Sequence, residues 1–508
     1  MIAKIYSAIP NGYDGNIIEV EGDINRGLPA FNIVGMANKT INEAKERVRS
    51  AIINSKFSFP DKKVTINLAP AEIAKDGTYL DLPIALTVLT LSKQLLPEDT
   101  KNKLFVGELS LNGKIRPVHG IINIIETAKS AGITEIFVPK SNLDQAQLID
   151  GVEIFGVDNL FELFLHLKNQ QKIIPQPSVV KNTKTDISGL LLDNIYGQEF
   201  AKRAMIVAIA GHHNILISGP PGAGKTLLAK TAANLLPPPS PTEQIAITKI
   251  HSIAGLTNDI VAERPFRSPH HTASPASIIG GGAHATPGEI SLAQHGVLFL
   301  DELPEYQRSV LEALRQPLED KVITISRANA KTSYPADFML IATMNPCPCG
   351  YAGDPTHECT CTTAQIEKYR KKLSGPLFDR IDMHINVQKV DNKDLLRSQK
   401  PAKTVANEHN VVKNKIEQAI KIQRERYNCC NLYNSSLSSH QVTTLLHLEP
   451  AAEQLLQRAS DTLNLSARSY FKIIKVAQTI ADLEAAPIIK PEHISEALSF
   501  RERTSCNF

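Results

Sequence analysis

No stretch of this 508-residue sequence approaches the roughly 18 uninterrupted apolar residues that a membrane-spanning helix needs. The first residues, MIAKIYSAIPNGYDG, also lack the continuous apolar segment of a secretory signal. These absences predict a cytoplasmic protein with no membrane partner. An excess of one charge is missing as well. Lys and Arg number 55 against 52 Asp and Glu, a net charge of +3, so any surface for a polyanion has to be local. Cysteine is sparse, seven in all with four in one short cluster, which argues for a metal site in a reducing compartment and against a disulfide framework. No low-complexity tract interrupts a composition of 42% hydrophobic and 21% charged residues, so the chain has the means to build real cores.

A chain this long exceeds one ordinary core and predicts about three domains. Residues 1–168 alternate short strands (NIIEVEGDI, KVTINLAP, EIFVPK) with helical stretches (TINEAKERVRSAII, DLPIALTVLTLSKQL), the pattern of an α+β domain. Residues 169–188 lose apolar periodicity and read as an exposed linker. Over 189–390, buried-looking strands (NILIS, GVLFLDE, DFMLIATMN) alternate with helices, which predicts an α/β unit with a helix-covered parallel sheet. Residues 391–508 are helix-rich and read as a helical lid.

Within the α/β unit, Gly219, Pro220, Pro221, Gly222, Ala223, Gly224, Lys225 and Thr226 spell G-x-x-x-x-G-K-[ST] between a strand and a helix. Glycines let backbone N–H groups turn inward around phosphate oxygens, the helix N-terminus adds partial positive charge, Lys225 reaches the terminal phosphates of ATP, and the Thr226 hydroxyl ligates Mg²⁺. A second strand, GVLFL, ends in Asp301 and Glu302. There the first carboxylate serves the Mg²⁺ shell, and the second orients and deprotonates the attacking water. A third strand ends at Asn345, placed to help hold that water. Arg380, in SGPLFDRID, and Arg468, in LSARSY, are candidates to stabilise charge on the transferring phosphate; structural ion pairs are the other reading of both. An Arg380 that acts on a neighbour's ATP requires a ring.

Cys347, Cys349, Cys359 and Cys361 form C-x-C-x₉-C-x-C, with His357 nearby. Four thiolates close a tetrahedral structural Zn²⁺ site; free thiols on a loop are the alternative.

Taken together, GPPGAGKT, FRSPHHTASPASIIGGG, GEISLAQHGVLFLDELPE, TMNPCPCG, LSGPLFDRIDMHINV and SARSYFKIIKVAQTIADL resemble the magnesium-chelatase-like AAA+ ATPases of the YifB/ComM branch, over nearly the whole chain. The resemblance implies a homo-hexamer, an insert within about residues 255–285 and a β-hairpin within about 321–335, both facing a central pore. Along the hairpin, VITISRANAKTSYPADF alternates as a two-stranded ribbon with RANAK at its tip, which makes Arg327 and Lys331 the DNA-binding candidates. A solvated hairpin with ordinary surface charges is the alternative. The branch further implies a DNA helicase driving branch migration as transforming single strands integrate by homologous recombination, with single-stranded and branched DNA and recombination proteins as partners. A protein-remodelling or chelatase-type motor is the second reading.

In residues 1–168, DGTYLDLPIAL and GELSLNGKIRPVHGI are similar to the Lon protease domain, which has a ribosomal S5-like fold. The positions matching that family's Ser and Lys are Tyr79 and Ile122, and a phenol and an alkyl chain cannot form the dyad. The domain is therefore expected to be proteolytically inactive, with a Lon-like peptidase the least favoured reading.

Overall fold

The computed structural model describes residues 2–35, 39–73, 75, 78–175, 190–282, 285–326, 331–354, 357–389, 406–429 and 432–501. Most of the expected linker, and the Arg327 position, fall outside these residues.

The chain begins with a hairpin, Ile2–Asn11 against Asp14–Asn25, in register from Ile2↔Asp23 to Asn11↔Asp14. Its two-residue turn holds Gly12 at φ 61°, the left-handed geometry that a tight hairpin demands. The hairpin lies in a seven-stranded mixed sheet ordered Ala30–Val34, Lys63–Ala69, Asp14–Asn25, Ile2–Asn11, Lys103–Phe105, Glu135–Pro139, Glu153–Val157. Phe105, Phe137 and Phe155 occupy paired positions on the last three strands and stack with ring centroids 4.9 and 4.7 Å apart. Against this sheet lies the helix Asp81–Leu91, buried at every position, as an element apolar all round must be. It stops at Leu91 and does not run on through Leu95, because Lys93 turns left-handed at φ 61° and the Ser92 hydroxyl donates to the Leu89 carbonyl at 3.1 Å.

The second unit is built on five parallel strands in the spatial order Phe266–Arg267, Val297–Leu300, Met339–Met344, Ile215–Ser218, Met383–Asn386. The period-2 alternation of strand side chains divides their apolar residues between two cores. Ile215, Ile217, Val297, Phe299, Met339 and Ile341 face one, while Leu216, Leu298, Leu300, Leu340 and Ala342 face the other. The first core continues into the C-terminal helices Ala406–Tyr427, Pro450–Leu463, Ala467–Leu483 and Pro491–Ser499, so the helical lid shares its interior with the sheet. The second is closed by the segment around the helix Pro275–Ile279 and by an antiparallel hairpin, Val322–Ser326 with Lys331–Pro335. The buried Tyr334 ties these two together, its hydroxyl donating to the Ala285 carbonyl at 2.7 Å.

The N-terminal domain grips the helix Pro241–Ile253 of the ATPase unit. Lys249 Nζ lies 2.5 Å from Glu126 and 3.9 Å from the centre of the Tyr13 ring. Ser252 Oγ accepts from the Gly120 N–H and donates to Gln145 Oε1, both at 2.9 Å. Tyr13 also packs on the hairpin-side core, and its neighbour Gly12 lies directly against Thr332 of the hairpin.

Phe137 is the middle ring of the stack and has no exposed surface, so Phe137→Ala is expected to destabilise the N-terminal domain by about 3–5 kcal/mol. Calorimetry should resolve this as a lowered midpoint for that domain. An unchanged first transition would show that the stack contributes little.

Candidate nucleotide site

The strand Ile215–Ser218 is flanked by Met339–Met344 on one side and Met383–Asn386 on the other, with Ser218 paired to both Met344 and Asn386. Everything leaving the carboxyl ends of these strands is therefore delivered to one edge, where ligands gather in open parallel sheets. From Ser218 the chain enters the glycine loop. Gly222 and Gly224 adopt φ 77° and 78°, and a side chain at either would meet open space, so backbone conformation is what requires glycine there. Gly219 is different, since a Cβ would collide with the Val387 carbonyl. The loop then opens the helix Lys225–Leu235.

Lys225 is half-buried, and burial holds its pKa below the usual lysine value. Its ammonium donates to the carbonyls of Gly219 at 2.5 Å and Pro220 at 3.1 Å, and to Asn345 Oδ1 at 2.9 Å. The cation thus rests on neutral acceptors that a terminal phosphate would replace, gaining a charge-assisted contact. Asn345 is brought to the loop by the adjacent strand.

The acidic pair is arranged through Thr343. Its hydroxyl donates to Asp301 Oδ1 and accepts from the Glu302 N–H at 3.0 Å. The other Asp301 oxygen accepts from the Thr226 hydroxyl at 3.2 Å. Adjacent ligands of an octahedral Mg²⁺ at about 2.1 Å stand about 3.0 Å apart, so this Thr–Asp pair has nearly the spacing of two ligand sites. The donor set fits the ion. Glu302 is held left-handed at φ 52°, ψ 52°, a conformation that costs a non-glycine residue on the order of 1 kcal/mol. It leaves the carboxylate exposed at the strand end, beside Asp301.

Arg380 and Arg468 are brought together, but elsewhere. Both bind Glu319: Arg380 through Nη2, and Arg468 through Nη2 at 2.8 Å. Arg380 Nη1 also donates to the Pro376 carbonyl at 2.9 Å. They line a cavity of about 470 Å³ with Lys321, Lys472 and Lys475, and none of the phosphate-loop residues lines it. Arg468 stands at the start of the helix Ala467–Leu483, which Ser466 caps. The four cluster cysteines converge, with sulfurs within 4.8 Å of one another, whereas His357 stacks on Tyr351. The hairpin forms with Ser326↔Lys331 as its last pair, and Arg327 lies outside the described residues. Tyr79 and Ile122 are packed into the N-terminal interior, where burial pushes the phenol up to about 12.

Three participants escaped the sequence reading. Thr343 bridges the acidic pair, Glu319 gathers the arginines, and Gln198 donates to the phosphate-loop carbonyl of Ala223 at 2.5 Å. Only Thr343 carried a signal, a hydroxyl two residues before Asn345 on the strand next to the acidic pair.

A phosphate loop after the first strand, acidic residues after the third, and parallel strands in the order second, third, fourth, first, fifth define an AAA+ ATPase. The sequence matches the magnesium chelatase ChlI-subunit family over residues 191–395, with matches to the ChlI subunit of Mg-chelatase at 20–142 and to the ChlI C-terminal region at 406–501. It is 41% identical over 508 residues to competence protein ComM of Haemophilus influenzae, covering 98% of this chain and 97% of that one. Against YifB of Escherichia coli it is 40% identical over 507 residues, with 98% and 97% covered. A Lon protease of Leptospira interrogans is 27% identical over 186 residues, covering 34% of this chain and 22% of that protein. The chain belongs to the magnesium-chelatase-like AAA+ ATPases, in the branch that contains ComM and YifB.

Thr343→Val keeps the shape of the side chain and removes the hydroxyl that positions Asp301 and Glu302. ATP turnover should fall on the order of 10–100-fold while nucleotide affinity changes little. Phosphate release and equilibrium binding, measured side by side, check this. Equal loss of both would mean that Thr343 supports the loop as a whole.

Proposed function

We propose that this ATPase works as a hexameric ring that moves DNA, a helicase or branch-migration motor serving homologous integration of transforming single strands in the cytoplasm. Its partners in this reading are single-stranded and branched DNA and recombination proteins. The observation that carries the reading is the hairpin Val322–Ser326/Lys331–Pro335. Its two strands are joined by the basic sequence RANAK, and six copies would line a channel with positive charge. The close similarity to a competence protein supports it.

In this proposal Lys225 binds the terminal phosphates, Thr226 and Asp301 hold Mg²⁺, Glu302 activates water and Asn345 positions it. ATP bound with Mg²⁺ supplies the energy of phosphoryl transfer. Arg380 and Arg468 serve the nucleotide of a neighbouring subunit, a role supported by their shared seat on Glu319 away from the chain's own phosphate loop. Zn²⁺ is a structural cofactor at the four cysteines. The family's chelatase name favours a second reading, a protein-remodelling or metal-chelatase motor. A Lon-like peptidase is disfavoured by the half-buried Tyr79 and the buried Ile122 at the dyad positions.

Lys225→Ala should abolish turnover, and Glu302→Gln should keep ATP binding while trapping an assembled ring. With the unmodified chain, single-stranded or forked DNA should stimulate ATP hydrolysis, and the stimulation should weaken as salt rises. Arg327→Ala should reduce it further. ATPase activity indifferent to every DNA form, with no strand displacement, would reject the DNA assignment and leave the chelatase-type motor.

A further inference from the structure

We propose that Cys347, Cys349, Cys359 and Cys361 form a zinc clasp that braces the phosphate loop and Asn345, making nucleotide affinity depend on metal occupancy. The coupling rests on the nucleotide-site reading above; the metal site stands on the cysteines alone.

The sulfurs converge on one point and do not pair off. Cys347 Sγ lies 3.3 Å from Cys349 Sγ and 3.7 Å from Cys359 Sγ, and the Cys349–Cys359 separation is 3.5 Å. A disulfide needs about 2.05 Å, and these cysteines are free. In a ZnS₄ tetrahedron with Zn–S of about 2.3 Å the sulfurs stand about 3.8 Å apart, so the observed edges are slightly contracted versions of that figure. Backbone donors are also in place: the Cys349 N–H points to Cys361 Sγ at 3.4 Å and the Ala352 N–H to Cys347 Sγ at 3.3 Å. Such donors offset the excess negative charge of four thiolates around a divalent ion.

The clasp is joined to the nucleotide site at three points. Cys347 follows Asn345 by two residues, leaving little slack between the ligand and the side chain that holds Lys225. Gly350, at φ 88° and bonded through its N–H to the Cys347 carbonyl at 3.0 Å, packs its backbone on the phosphate loop. A Cβ there would stand 2.8 Å from Pro221 Cδ. After Cys361 the chain enters the helix Thr363–Arg370, capped by Thr362, and that helix brings the Tyr369 hydroxyl close to the Asn345 backbone. Both strands of the clasp thus lead to Asn345, and its middle touches Pro221. A loop with four converging thiols and no ion has little apolar burial of its own, so the metal supplies most of its rigidity.

The test uses the full chain. Elemental analysis should find about one zinc per chain, and cobalt(II) exchanged into the site should give the visible absorption of a tetrahedral thiolate complex. Removing the metal with an organomercurial and chelator, with folding followed by circular dichroism, should weaken binding of a fluorescent ATP analogue by about 10-fold or more; added zinc should restore it. Gly350→Val keeps all four ligands but pushes on Pro221, so metal content should stay the same while nucleotide affinity falls. Cys359→Ser should lose both. A chain without zinc whose cobalt form lacks thiolate bands overturns the metal site. A folded, metal-free chain that binds the analogue as tightly as the loaded one overturns the coupling. A fully loaded chain that binds no nucleotide overturns the nucleotide reading, and the coupling with it, but not the metal site.

Discussion

The parallel register of three strands is the constraint on which the rest of the structure depends. Because Ser218 is paired to Met344 on one side and Asn386 on the other, the phosphate loop leaves the sheet at the same height as the segment carrying Asn345. Shifting either neighbour by one residue would turn its side chains to the opposite face and carry Asn345 away from Lys225. The continuous apolar runs of the central strands, buried on both faces, hold that register.

At this edge, polar groups are satisfied by one another in a short chain: Thr226 to Asp301, Asp301 to Thr343, Thr343 to the Glu302 backbone. Such a network is stable only when each member has its partner. It fixes the Asp301 carboxylate and the backbone of Glu302 before any nucleotide arrives, and this pre-organisation spares reorganisation during the reaction. The two arginines are held by a different carboxylate, Glu319, beside a cavity that no phosphate-loop residue lines.

The phosphate loop was legible in the sequence because its motif records backbone requirements, such as left-handed glycines at 222 and 224, which local chemistry alone dictates. The acidic pair and Asn345 were legible because each ends a buried strand. Glu319 was not, since a lone glutamate on a helix carries no sign that two arginines more than 60 residues away will converge on it. The contact of Gly350 with Pro221 was equally hidden, as it depends on how a loop folds back across the sheet edge. In the N-terminal domain the apolar run after Asp81 announced a buried helix, but its end depended on a left-handed Lys93, a conformation that no pattern in SKQL specifies. The likeness to Lon was readable from DGTYLDLPIAL and GELSLNGKIRPVHGI, and a partial match to a Lon protease covers 34% of the chain.

The contact between Gly12 and Thr332 gives the N-terminal domain a mechanical position. A turn that touches the hairpin, in a domain anchored to the helix Pro241–Ile253 through Lys249 and Ser252, is placed as a cam follower is placed on its cam. Any displacement of the hairpin must either carry the turn along or break its seat. The N-terminal domain thus shares one contact path with the hairpin and the helix Pro241–Ile253, and a load applied to one is felt by the other.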